Sequence, residues 1–381
     1  MTMWRVFFAF LISLPLTAAA SELIAADVPT PTLAARAFVL RDANTGNLLA
    51  TSNPDMQVEP ASLTKVMTAY LAFEAVKQKR LSLSQTLPVS MKAWKVEGSK
   101  MFIDTTMTVT VDELLHGLII QSGNDAAITL AEGIAGSEEL FAALMNKKAV
   151  ALGMTSTHYV NATGLPDPTH LTTARDLSIL ANALIRDYPQ DYKRLYSQKQ
   201  YTYNKITQPN RNRLLFIDPT VDGMKTGHTE SAGYCLISSA KRDDFRLISV
   251  VLGTASDNVR AAESQKLLNY GFQFYESKKV YEAGKTISRQ KVWKGTSDMV
   301  DVTVSKPVYF TMPRGQYANM KASQRLNKPL VAPLQAGQTV GSLEFSLNGK
   351  VVRSVPLVAA QAVEQSNIFA RMIDQVRLYL D

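Results

Sequence analysis

The chain switches between two hydrophobic periods. Ala37-Phe38-Val39-Leu40, the turn residues 42–47 and Leu48-Leu49-Ala50 predict a strand–turn–strand opening. From Ser62 to about residue 79, Leu63, Val66, Met67, Tyr70, Leu71 and Val76 recur at helical spacing and predict a long amphipathic helix. Further helices are expected over 111–120, 126–134, 138–152 and 173–186. Strands are expected at 234–239 and 247–252, joined by the polar turn Lys241-Arg242-Asp243-Asp244. Past about residue 282 short alternating strands take over, and Asn348-Gly349 between two such runs is a strong hairpin signal. The last segment, 363–380, returns to the helical period. Ile368, Phe369, Met372, Ile373, Val376 and Leu380 share one face, with Arg371, Asp374 and Arg377 off it. Such a helix suits either a membrane interface or a dock on its own domain.

Composition adds the compartment. At 381 residues, 46% hydrophobic and 19% charged, the chain has an ordinary globular mix and is long enough for two cores. Arg5, the apolar run 6–16 and Thr17-Ala18-Ala19-Ala20 form the three-part pattern of a secretory signal peptide, with cleavage expected after Ala20 and Ala26 as the alternative. Residues 28–35 read as a linker. Cys235 is the only cysteine, so no intramolecular disulfide can form, and its apolar neighbours make it a packed strand residue. The net charge of +8 favours an anionic partner. With no long Lys/Arg run and no nucleic-acid motif, a membrane surface or an anionic wall polymer fits better than nucleic acid.

Three short motifs carry chemistry when taken together. Ser62-Leu63-Thr64-Lys65 fits S-x-x-K, in which a helix places the amine beside the hydroxyl. Ser238-Ser239-Ala240-Lys241 fits it too, but Ser62 opens a predicted helix whereas Ser238 ends a strand. Ser62 alone would also suit an N-cap. Ser122-Gly123-Asn124 fits S-x-N, as do Ser256-Asp257-Asn258 and Ser346-Leu347-Asn348; the first lies between two predicted helices, where it could enter a cleft or cap a helix. Lys225-Thr226-Gly227 is the only K-T-G and precedes the strand at 234–239, where Gly227 would let a ligand backbone approach closely. In this order the three make a nucleophile–base–anion set.

With these residues the sequence resembles the low-molecular-weight penicillin-binding proteins, the serine D-alanyl-D-alanine carboxypeptidases. The match extends through Glu59-Pro60-Ala61-Ser62-Leu63-Thr64-Lys65, Gln121-Ser122-Gly123-Asn124-Asp125-Ala126 and Asp222-Gly223-Met224-Lys225-Thr226-Gly227-His228-Thr229. Residues 183–187 and Asn210-Arg211-Asn212 also resemble the family. The resemblance implies an α+β fold: a penicillin-recognising serine-hydrolase domain over 28–282, with an antiparallel sheet flanked by helices and an all-helical cluster. A small all-β domain over 283–361 and an amphipathic helix over 362–381 would follow. The implied reaction is removal of the terminal D-alanine from peptidoglycan stem peptides, with acylation by β-lactams, no metal and no cofactor. Ser62 would attack and Lys65 take its proton, its pKa lowered by burial and by Lys225. Ser122 would relay the proton, and the N–H groups of Ser62 and His228 would form the oxyanion hole. Asn124 would hold the substrate amide, and Thr226 with Arg211 or Arg260 its carboxylate. The implied location is the periplasm, peripheral on the outer face of the inner membrane. The tail lacks a terminal aromatic cluster.

Other readings have less support. A class A β-lactamase would not need the appended β-domain. A cross-link DD-endopeptidase would use the same residues, and an idle penicillin-binding scaffold would not need them intact. A Ser-His-Asp hydrolase lacks G-x-S-x-G, and zinc catalysis lacks H-E-x-x-H.

Overall fold

One carboxylate closes the opening turn. Asp42 accepts hydrogen bonds from the backbone N–H groups of Asn44 and Thr45, so β1 (Ala37–Asp42) folds back on β2 (Leu48–Ser52). The computed structural model, which describes residues 28–380, places this pair in a five-stranded antiparallel sheet. Its other strands are β3 (Val221–Thr229), β4 (Gly233–Arg242) and β5 (Phe245–Thr254), in the order β2-β1-β5-β4-β3. The K-T-G residues therefore lie within the edge strand β3 rather than ahead of the first strand of this region. Polar Lys225, Thr226 and His228 interrupt the apolar pattern there and hide the strand in the sequence.

Helices cover the sheet. α1 (Lys65–Lys77), α2 (Asn124–Ala135), α3 (Glu138–Leu152) and α4 (Ala174–Asp187) form a helical cluster, and α4 also packs on β1 and β5. α5 (Asp257–Phe274) packs on the same central strands. Since β5 is buried along nearly its whole length, the two helices cover opposite faces. The sequence pattern did not predict α5, because Arg260 and Ser264 sit among its buried apolar residues and blur the stripe. Its cap is Ser256, which accepts from the Val259 N–H, so that S-x-N match is a helix start. α1 also departs from expectation. It is buried all round, with Val66, Met67, Ala69, Phe73 and Ala75 each almost inaccessible, because α2, α3 and α4 surround it. The expected helix at 111–120 is α-helical only over Val111–His116 and then widens into a π-helical turn, Gly117–Gln121.

This first unit runs from Pro29 to Ser277, and the second begins at Lys278, a little before the expected boundary at 282. The second unit is built on β6 (Ser288–Trp293), β7 (Met299–Thr303), β8 (Met320–Leu326), β9 (Leu330–Val331), β10 (Thr339–Leu347) and β11 (Lys350–Ala359). They form one sheet in the order β8-β10-β11-β7-β6-β9 over a core including Val302, Leu343, Phe345 and Leu357. Asn348 and Gly349 turn between β10 and β11 with φ of +49° and +80°, the paired left-handed geometry that Asn-Gly favours. The terminal helix α6 spans Ile368–Leu380, later than the expected start at 363. Val363 instead bridges Leu334 in both directions and is buried in the β-core. Asp374 accepts from the Lys294 N–H and Arg371 donates to Gln365, so the polar edge of α6 is tied to its own unit. Ile368, Phe369, Met372, Ile373, Val376 and Leu380 are each more than half exposed. No helix among the described residues is long and apolar enough to cross a membrane. The expected signal segment, with both cleavage sites, lies outside the described residues.

Candidate active site

Ser62 sits on a tight 3₁₀ turn, Ala61–Thr64, that runs straight into α1. Ala61 takes a left-handed backbone, φ +48°, which no side chain favours and which the packing around the turn must hold. Lys65 follows one turn later, so its Nζ comes within 3.0 Å of Ser62 Oγ. The other two neighbours of Nζ are carbonyl-type oxygens, Asn124 Oδ1 and Thr163 O, each at 2.6 Å. A carbonyl oxygen can only accept. A neutral amine spends its two N–H groups on this pair and turns its lone pair toward the serine hydroxyl, as a base must. Burial, and then the charge of Arg211, lower the Lys65 pKa to about 7. The sequence expectation named Lys225 as the charge responsible. Here Arg211 acts on Lys65, while repulsion from Lys65 falls on Lys225, which burial already drives well below its ordinary value.

Ser122 ends the π-helical turn in a left-handed conformation, φ +61°, and is almost fully buried. Its Oγ accepts from Lys225 Nζ at 2.9 Å, and the same ammonium reaches Thr226 O at 3.0 Å. Asn124 opens α2 and is held at both ends of its amide: Oδ1 takes Lys65, and Nδ2 donates to Glu97 O at 2.6 Å. The structure thus joins Ser62, Lys65 and Asn124 directly, and Ser122 with Lys225.

The remaining expected residues divide. Thr226 and Gly227 are buried on β3, and exposed His228 stacks on Tyr234 with ring centroids 3.9 Å apart. Gly227 also serves the packing of the chain itself. A Cβ there would stand 3.1 Å from both Pro60 O and Leu63 Cγ, so glycine gives β3 its close approach to the Ser62 turn without crowding. Arg260 is buried, paired with Asp257 and donating to Gly227 O at 3.2 Å. Arg211 is exposed, on a bend fixed by the Asn210 side chain accepting from the Asn212 N–H. Ser238 is bonded to Ser249 Oγ at 3.0 Å inside the sheet, away from exposed Lys241.

Three contributors escaped sequence reading. Thr163 acts through a backbone carbonyl, which no side-chain motif encodes. His170 is buried with Nδ1 accepting from the Val160 N–H, so its proton lies on Nε2, 2.9 Å from Thr64 Oγ1. Burial lowers its pKa to about 4, and it links the Thr163 loop to the serine turn as a neutral ring. Asp125 directly follows the S-x-N motif. Its carboxylate is fully buried and accepts from the backbone N–H groups of Met101, Phe102 and Ile103 at 3.0, 2.9 and 3.3 Å. Next to it, the Asn124 N–H donates to Ser99 O at 2.7 Å. Asp125 therefore pins the 97–103 loop to the Ser122–Asn124 segment. Asp125→Ala strands those donors and should destabilise the protein by about 3 kcal/mol in denaturant titration, while slowing penicillin acylation roughly tenfold. Wild-type values for both would remove the clasp from the site.

A family model described as D-alanyl-D-alanine carboxypeptidase matches residues 24–256, and one described as penicillin-binding protein 5, C-terminal domain, matches residues 275–365. The chain belongs to the D-alanyl-D-alanine carboxypeptidase family. It is 44% identical to D-alanyl-D-alanine carboxypeptidase DacC of Escherichia coli over 97% of this chain and 94% of that protein. It is 41% identical to penicillin-binding protein 5 from Haemophilus influenzae, whose crystal structure matches with a TM-score of 0.82 over 89% of this chain and all of that one. An ampicillin-bound structure of penicillin-binding protein D2 from Listeria monocytogenes, 33% identical, matches 64% of this chain and 99% of its own with a TM-score of 0.59.

Proposed function

We propose that this protein is a serine D-alanyl-D-alanine carboxypeptidase that works through a Ser62 acyl-enzyme. The observation that carries the reading is the Lys65 amine, buried, with a pKa near 7 and 3.0 Å from the serine hydroxyl. Lys65 accepts the Ser62 proton as Oγ attacks the carbonyl between the two terminal D-alanines. The N–H groups of Ser62 and His228 receive the oxyanion. Collapse expels D-alanine, whose nitrogen takes a proton through Ser122, held by Lys225. Water, deprotonated by the same base, then hydrolyses the ester and regenerates Ser62. Asn124 holds the acyl-side amide, while Thr226 and Arg211 hold the terminal carboxylate. The Asp257 pair leaves Arg260 to steady the end of β3. The relatives named above support release of terminal D-alanine over cutting of cross-links.

The protein is proposed to be exported by its N-terminal segment and to act on peptidoglycan stem peptides in the periplasm. The exposed apolar face of α6 would rest on the outer surface of the inner membrane, with Arg377 near anionic headgroups.

The test is incubation with penicillin, followed by peptide mass spectrometry. A penicilloyl adduct on the peptide containing Ser62 is expected. An adduct on Ser238, or none with folded protein, would overturn the reading.

A further inference from the structure

Arg211 is exposed on a bend outside any helix or strand. It nevertheless acts on the site, since its charge adds to burial in holding both Lys65 and Lys225 below the ordinary lysine range. A long side chain on an irregular segment can clamp a carboxylate only where its backbone is fixed. Asn210 supplies the fixing. Its Oδ1 accepts from the Asn212 N–H, its Nδ2 donates to Gln198 O at 2.9 Å, and its own N–H donates to Lys199 O at 2.7 Å. The bend therefore goes wherever the Gln198–Lys199 segment goes.

The Gln198 side chain leads from there to His116. Its Nε2 donates to Arg194 O at 2.9 Å and lies 3.1 Å from His116 Nε2. Across the ring, His116 Nδ1 stands 2.7 Å from Asp112 O, which can only accept. The proton is thus on Nδ1, and Nε2 offers its lone pair to Gln198. The ring is buried and stacks on Tyr201 with centroids 4.6 Å apart, while Tyr201 O accepts from Gln121 Nε2 at 3.3 Å. His116 ends the helical turn that continues through Gly117–Gln121 into Ser122. It stands between the segment that carries the proton relay and the segment that carries Arg211, and it takes no part in the proton transfers themselves.

We propose that His116 is a positioning residue for the carboxylate end of the substrate: as a neutral acceptor it holds Gln198, and through Asn210 the backbone of Arg211, in register with Ser122. The inference rests on the carboxylate role given to Arg211 and extends it to a residue that reaches the substrate only through others.

Two peptides test it, one ending in D-Ala-D-Ala and one in D-Ala-D-alaninamide, which lacks the carboxylate. The mature full-length protein should favour the free carboxylate in kcat/KM by at least about tenfold, the scale of a charge-assisted hydrogen bond, and Arg211→Ala should lose most of that preference. His116→Ala should cut the preference about fivefold, mainly by raising KM for the carboxylate peptide, with kcat/KM for the amide peptide within about twofold of wild type. His116→Gln, whose carboxamide oxygen can replace Nε2 as the acceptor, should retain the preference. In an Arg211→Ala background, His116→Ala should add nothing, because its effect runs through that arginine. Melting followed by circular dichroism reports folding. Should His116→Ala not fold, Gln198→Ala removes the same contact from the other side and carries the same expectations. Equal loss on both peptides, full additivity with Arg211→Ala, or a His116→Gln variant as impaired as His116→Ala overturns the positioning role and leaves that of Arg211 standing. A wild type that does not favour the carboxylate, or an Arg211→Ala variant that keeps the preference, overturns the role of Arg211 and this inference with it.

Discussion

Lys65→Arg should lower the rate of penicillin acylation at Ser62 by about a thousandfold, within the range that a positioned general base contributes. Arginine keeps the charge but cannot give up its proton near neutral pH. Lys65→Met, which fits the buried space without a charge, should lose the reaction to a similar extent, so retained charge and lost charge give the same outcome. The pH dependence provides the second arm. Lys65 is an effective base only when neutral, so wild-type acylation should rise with pH through an inflection near 7, the value to which burial and Arg211 lower it. Stability should move with it. Between about pH 7 and the ordinary lysine value of 10.5, the unfolded chain holds a proton on Lys65 that the folded protein lacks. The contribution of this residue to folding therefore becomes more favourable as pH rises across that window, and Lys225, also depressed, acts in the same direction. Near-normal acylation by Lys65→Arg, or a flat wild-type profile from pH 6 to 8, would assign the base to another group.

Removing residues 368–381 should abolish co-sedimentation of the mature protein with anionic vesicles while leaving its penicillin acylation rate within about twofold. Six exposed apolar side chains line one face of α6. Full burial of each would contribute about 1.5–3 kcal/mol, and partial insertion of several is enough to shift partitioning by about three powers of ten. The truncation point matters. A cut at 363, where the sequence pattern starts the helix, would also take Val363 out of the β-core, and loss of that packing would be mistaken for a role of the helix. Full-length mature protein that stays in the supernatant would exclude the anchor.

What the sequence disclosed follows from which atoms do the work. Ser62, Lys65, Ser122, Asn124 and Lys225 are joined through side chains that stand at fixed spacings, so short motifs expose them. The hairpin at Asn348-Gly349 was legible because two successive positive φ angles restrict residue choice. The helix at 138–152 was legible because its ends are signalled locally, by Ser137 as cap and Gly153 as terminator. Other features were hidden for equally physical reasons. α1 looked one-sided because its small buried residues, Ala69, Ala72 and Ala75, carry little hydrophobic weight although three helices enclose it. α5 was masked by a buried arginine and serine. Arg211 and Arg260 could not be separated by sequence, since only the fold puts Asp257 against one of them. Asp125 bonds to the backbone of a loop 22 to 24 residues earlier, a relation that no local pattern records.

The Thr163 loop separates chemical importance from genetic constraint. One of the two oxygens that orient the Lys65 amine belongs to the main chain, so every amino acid at position 163 carries it. The next residue contributes no atom to the reaction, yet a β-carbon on Gly164 would lie 1.8 Å from Ala61 O, in a backbone with φ of +85°. Inherited variation would therefore leave its firmest mark one residue beyond the group that matters to the proton.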